Sequence, residues 1–279
     1  MTKAKVILIS FIAAGTIGCL TLIRKSRRRK RKQESYSYEE LVGNTPLIKL
    51  SKISSLLGEG KSLYVKMECM NPAGSGKDRA GLYMILSAEE NDELPPPVSE
   101  NKSSRNLAYC NLFLDCLRSS SHDESIKNVI SDAATRTRSG GIVIEGSSGS
   151  TGISLATLAT RRGHSTIIVM PDDQALEKRT ILNCLGASVY VVPTAAISNP
   201  NHYVNVAKRI ADIINMMDCQ VSVSTKSKRQ DRFFKASFMN QFENMANYKA
   251  HYATTGPEIL CQCLAAFGKM PDACKYENL

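Results

Sequence analysis

From residue 141 onward the chain alternates between short apolar runs and longer segments whose apolar side chains recur at helical spacing. Residues 141–145, 165–170 and 188–192 read as strands, and 150–162, 173–185 and 203–216 as helices. Strands that alternate with helices of this length predict βαβ units, a parallel sheet and hence an α/β fold. Each strand-to-helix turn presents backbone N–H groups at a helix start, where an anion is favoured. Upstream, 63–68 alternates like a strand, Asn71-Pro72-Ala73-Gly74-Ser75-Gly76 is dense in turn residues, and 77–90 has Leu82, Ile85 and Leu86 on one helical face.

Two stretches break this pattern. In 92–139, Pro95-Pro96-Pro97 interrupts the chain, and Ser and Asn are frequent. This stretch is predicted to be an insertion or loose loop outside the catalytic core, with a short apolar helix near 107–117. At the other extreme, residues 6–23 contain no charge. As a helix they would span roughly 27 Å, close to the bilayer core of about 30 Å. Arg24 to Lys32 follow, with Ser26 their only uncharged residue. The pattern predicts an N-terminal signal anchor over 1–34, with a transmembrane helix at 6–23 and the following domain on the cytosolic side. A short anchor with a strong basic flank suits the mitochondrial outer membrane, with the endoplasmic reticulum as the alternative.

The charge balance sharpens this reading. The chain has 36 Lys and Arg against 26 Asp and Glu, a formal charge of +10. Ten of the basic residues, and no acid, lie in 1–32, so the remaining chain is balanced. A nucleic-acid partner would need basic residues on the folded part, so that class is set aside. The nine cysteines are scattered; their one close pair, Cys261-Gln262-Cys263, lacks a zinc or redox spacing. The four histidines lie far apart in sequence, and no metal is expected.

Two segments carry candidate chemistry. Gly146-Ser147-Ser148-Gly149-Ser150-Thr151-Gly152 lies between a predicted strand and helix, an anion-binding arrangement without a Walker lysine or a GxGxxG pattern. Alone it is as readily a structural turn. Lys77 follows a glycine-rich turn at a helix start, where the dipole lowers a lysine's pKa. Such a lysine suits covalent catalysis, but alone it is more readily a solvated helix residue.

The order of the motifs decides between these readings. Leu41-Val42-Gly43-Asn44-Thr45-Pro46-Leu47, then Asn71 through Arg79, then 146–152 resemble the cysteine synthase and cystathionine β-synthase family. Met170-Pro171, Glu177-Lys178-Arg179, Leu185-Gly186-Ala187, Asn240-Gln241-Phe242-Glu243-Asn244 and Thr254-Thr255-Gly256-Pro257 continue the series. The resemblance implies a fold-type II architecture, like the tryptophan synthase β-subunit, with parallel sheets in two subdomains over 35–259. It also implies pyridoxal 5'-phosphate as cofactor, with Lys77 as its covalent lysine and general acid/base. Ser147, Ser148, Gly149, Ser150 and Thr151 would bind the substrate carboxylate, assisted by Gln241, and Ser150 would also face the cofactor. The implied reaction is β-replacement on O-acetylserine, or a related serine derivative, with sulfide to give cysteine, in a possible homodimer. No segment resembling a haem site precedes the core. Ser150 stands where the family usually has Asn, and 260–279 lacks the family's Gly-Thr-Gly-Gly-Thr phosphate loop. That tail suggests an incomplete second half of the large subdomain. It keeps a different class in view: a truncated, inactive relative that serves as a membrane-tethered binding protein, or a non-functional product.

Overall fold

The computed structural model describes residues 37–98, 107–224 and 233–274. The expected anchor at 6–23 lies outside these residues. Among the described residues, no helix is long and apolar enough to cross a membrane.

The first unit, Tyr38–Gly256, opens with an antiparallel ribbon of β1 (Leu47–Lys49) and β2 (Tyr64–Lys66), joined through the short helix α1 (Ser51–Leu56). Helix α2 (Lys77–Glu90) follows the glycine-rich turn. Two helices then precede the sheet, α3 (Leu107–Ser119) and α4 (Glu124–Arg136). The alternating part follows: β3 (Gly141–Gly146), α5 (Ser150–Arg161), β4 (Ser165–Pro171), α6 (Leu176–Cys184), β5 (Ser188–Val192) and α7 (Tyr203–Ser224). Strand β6 (Lys235–Phe238) and helix α8 (Met245–Ala250) complete it, and a π-helical turn over His251–Thr255 follows. The second unit takes in Pro257 onward and carries most of α9 (Gly256–Phe267).

The four longer-range strands form a parallel sheet in the order β5-β4-β3-β6. Every residue of β3 and β4 is buried, which explains why they read as continuous apolar runs. Their alternating side chains serve two cores. Ile142, Ile144, Ile167 and Val169 pack with residues of α3, α4 and α7. On the opposite face Val143 joins Met84 and Ile85 of α2 and Leu155 and Leu158 of α5, while Ile168 and Met170 pack with Leu182 of α6. The result is a three-layer α/β/α unit.

The helix expected near 107–117 is present as α3, while the loose-loop reading of 92–139 requires correction over Glu124–Arg136, which forms α4. Tyr109, Cys110, Phe113 and Leu117 form one buried face of α3, and Ile126, Val129, Ile130, Ala133 and Ala134 one buried face of α4. The second set follows the i, i+3, i+4, i+7, i+8 spacing of an amphipathic helix, which the frequent Ser and Asn residues around it obscure. Asp123 caps α4 by accepting a hydrogen bond from the Ser125 amide at 2.8 Å. Phe113 is fully buried against Phe234, with ring centroids 4.4 Å apart, so the helices over Leu107–Ser119 and Glu124–Arg136 belong to the folded core.

Candidate active site

The sheet order locates the site. From β3 the chain moves outward to β4 and β5, then returns to add β6 on the other side of β3. Strand order therefore reverses at β3, and open parallel sheets bind ligands in the crevice beyond the strand ends at such a point. The 146–152 loop leaves β3 there, and Gln241 lies just past β6. The two are joined directly: Thr151 Oγ1 donates to Gln241 Oε1 at 2.6 Å.

Within the loop, Ser147 Oγ accepts from the amides of Gly149 and Gly152, both at 3.2 Å. Its hydroxyl therefore shapes the loop. The amides of Ser150 and Thr151, at the start of α5, have no hydrogen-bond partner within the described residues. They are the donors an anion would use. Gly146 is required by close approach, since a Cβ there would lie 2.7 Å from Val204 Cα at the start of α7. Lys178 of α6 reaches in from outside, donating to Ser148 O at 3.0 Å and to Gln174 Oε1 at 2.9 Å.

Beneath the loop lies a group the sequence reading missed. Glu145 is fully buried, and its carboxylate accepts from Gln241 N and Nε2, each at 3.4 Å. Burial pushes its pKa up to about 8, partly offset by hydrogen bonds from Gln241. A charged residue ending the apolar run Ile142-Val143-Ile144 was the signal available in the sequence.

Lys77 is half-buried at the first position of α2, and burial lowers its pKa. The turn before it is anchored by named contacts. Asp78 accepts from the Ala73 amide at 2.6 Å and from Ser154 Oγ of α5 at 2.5 Å. Asn71 Nδ2 donates to Ser75 O at 3.0 Å, and Asn71 Oδ1 accepts from Gly43 N at 2.8 Å. Arg79, 1% exposed, donates to both Glu68 oxygens at 2.8 and 2.9 Å and to Thr45 Oγ1 at 3.2 Å. The opening motif and the lysine motif thus hold each other. Burial also lowers the His251 pKa, with smaller contributions from the charges of Lys77 and Arg79, placing the 251–255 turn beside the lysine segment.

Contacts between α2 and α5 bring the lysine to the loop. Asp78 meets Ser154, and a Cβ on Gly81 would lie 3.4 Å from Leu158 Cδ1 and 3.5 Å from Ser154 Cβ. The absent side chain lets the helices approach closely. Pairing of 78 with 154 and of 81 with 158 means that they run in the same direction and begin at the same end. The arrangement starts a half-buried lysine and a loop with two amides unpartnered among the described residues at the same end of the unit. Both suit pyridoxal phosphate and an amino-acid carboxylate, so the residues present fit the group.

The comparisons agree with this geometry. A family model described as "Pyridoxal-phosphate dependent enzyme" matches residues 38–105 and 117–275, and the chain belongs to that family, whose cofactor is pyridoxal phosphate. Among its relatives is "Putative mitochondrial cysteine synthase" of Saccharomyces cerevisiae, 37% identical over 80% of this chain and 43% of that protein. "Cysteine synthase 2" of Schizosaccharomyces pombe is 35% identical over 94% of this chain and 55% of its own length. The chain spans about half the length of the curated relatives it matches. The crystal structure of O-ureido-L-serine synthase superposes with a TM-score of 0.51 at 25% identity, covering 85% of this chain and 52% of that one.

Proposed function

We propose that this chain carries the lysine and carboxylate-binding part of a cysteine synthase-like enzyme, which replaces the β-substituent of O-acetylserine, or a related serine derivative, with sulfide. The observation that carries the reading is the parallel pairing of α2 and α5, tied at Asp78 and Ser154, which starts Lys77 and the 146–152 loop at the same end of the unit. The family match and the names of the relatives support it.

In this reading the Ser150 and Thr151 amides receive the substrate carboxylate, and Gln241 closes the far side of the loop. Ser147 and Gly149 shape the turn, while Ser148 orients its peptide. Lys77 would hold pyridoxal phosphate covalently, and Ser150 would contribute to its binding. Bound pyridoxal phosphate supplies an electron sink for charge developing at the substrate α-carbon. Because burial lowers its pKa, Lys77 Nζ is neutral at a lower pH than an exposed lysine, so it can take the α-proton and return it.

The reading extends to the ends of the chain and to assembly. The 6–23 run and its basic flank support an anchor that leaves this domain facing the cytosol, and one relative's name points to mitochondria. A homodimer is the assembly proposed by family resemblance.

The test is borohydride reduction of the chain incubated with pyridoxal phosphate, followed by peptide mapping, alongside sulfide-dependent cysteine formation from O-acetylserine. A pyridoxyl label on Lys77 that is lost in Lys77→Ala, together with cysteine formation, is the expected result. A label elsewhere removes the assignment. Amino-acid binding with neither label nor turnover would replace the catalytic reading with that of a tethered binding protein.

A further inference from the structure

Lys178 is a polar residue at this site that the proposed chemistry leaves without a role. Its half-buried ammonium donates to Ser148 O at 3.0 Å and Gln174 Oε1 at 2.9 Å. Both acceptors are neutral, and among the described residues no carboxylate lies within ion-pair distance of it. An ammonium has three donors, so one is left over. A Cβ on Gly149 would lie 3.8 Å from its Nζ, which places the charge against the Ser148–Gly149 peptide.

That peptide is held from its two ends. Its carbonyl, on Ser148, is taken by Lys178, and its amide, on Gly149, is taken by Ser147 Oγ at 3.2 Å. Residue 149 is glycine, so no side chain restricts rotation of the peptide. A charge-assisted bond to the carbonyl is the stronger of the two fastenings, since the amide shares a neutral hydroxyl with Gly152. Rotation of this peptide would disturb the Gly149 cap of α5 and with it the Ser150 and Thr151 amides.

We propose that Lys178 is a positioning residue of the carboxylate loop. It clamps the Ser148 carbonyl, keeps the α5 amides presented, and sets a positive charge where an anionic substrate group arrives. The inference rests on the proposed carboxylate role of the loop, and it can fail separately from that role.

The experiment compares the whole chain with Lys178→Met and Lys178→Arg. Amide hydrogen exchange at Gly149 and Gly152, the loop amides held by Ser147 Oγ, is measured first, with no requirement for cofactor. Lys178→Met is expected to exchange about tenfold faster there, as for the loss of one charge-assisted hydrogen bond. Leu155 and Leu158 should be unchanged, and Lys178→Arg should recover most of the protection. Unchanged exchange, or equal acceleration along α5, overturns the clamp whatever the cofactor content. In protein carrying the Lys77 label site loaded with pyridoxal phosphate, L-serine is then titrated against L-serinamide. Selective weakening of L-serine in Lys178→Met supports the charge's role, and equal weakening of both ligands overturns it. A chain that never takes up pyridoxal phosphate refutes the proposed function alone, because the exchange measurement still judges the clamp.

Discussion

Between Asn71 and Arg79 the chain is fastened by buried charge, whereas the inner bonds of the 146–152 loop are neutral. The lysine turn rests on Arg79, Glu68 and Asp78, with Asn71 and Thr45 filling the remaining valences. The loop rests on Ser147, Thr151 and Gln241, and among the described residues its charged contact comes from outside, through Lys178. Breaking a charged network leaves an uncompensated ion, while breaking a neutral bond costs far less. The lysine turn is thus the costlier of the two to disrupt, and the loop that would receive a substrate depends on weaker inner bonds and on Lys178.

The largest test of that contrast is Arg79→Met. It leaves Glu68, whose side chain is 21% exposed, without the cation that opposes its desolvation. A loss of about 3 kcal/mol in unfolding free energy is expected, as for a broken buried pair. Urea denaturation followed by circular dichroism measures it. A cost under about 1 kcal/mol, the range of an exposed pair, would break the comparison.

Glu145 is the exception within the loop's surroundings, and it sharpens the contrast through pH. Its carboxyl is raised from 4.5 to about 8, mainly by burial. The folded state therefore binds this proton more tightly than the unfolded state does. That contribution is fully present below 4.5 and is lost as pH rises through about 8. Stability should fall across this window, and Glu145→Gln should flatten the decline by on the order of 2 kcal/mol. Urea titrations of both proteins at pH 5 and pH 8.5 check the sign, and a wild-type chain whose excess stability grows with pH relative to the variant would contradict it. Asp78 is also raised by burial and adds a slope of the same sign, which the variant leaves in place.

These two groups also mark what the sequence makes legible. The βαβ alternation is plain because β3 and β4 are buried on both faces, so composition alone reveals them. Strand β6, Lys235-Ala236-Ser237-Phe238, is mixed in character and becomes a strand by pairing with β3 nearly a hundred residues away. Helix α4 was legible by spacing and was hidden by its polar neighbours. The motif that contains Arg79 could be matched by resemblance, but its purpose could not be read. Its partners Thr45 and Glu68 are distant in sequence and meet it only through folding. Glu145 meets Gln241, and Lys178 meets Ser148, in the same way, through tertiary contact.

The smallest expected effect is that of Thr151→Val, and it tests the neutral side of the contrast directly. Valine keeps the shape of the buried Thr151 side chain and removes only the hydroxyl that donates to Gln241 Oε1 at 2.6 Å. Gln241 is half-buried, so its oxygen can turn toward water once the bond is gone. Its Nε2 contacts to Glu145 and Gly146, both 3.4 Å, are long and do little to hold it. The expected cost is about 1 kcal/mol or less, within the range of one neutral hydrogen bond. The same urea titration measures it, with Arg79→Met alongside. Amide exchange at 241–244 should rise while that at 77–79 stays unchanged, because the lysine turn draws none of its fastening from Thr151. A loss as large as that of Arg79→Met, or faster exchange at 77–79, would mean that loop and lysine turn are one cooperative unit and that the loop has no freedom of its own.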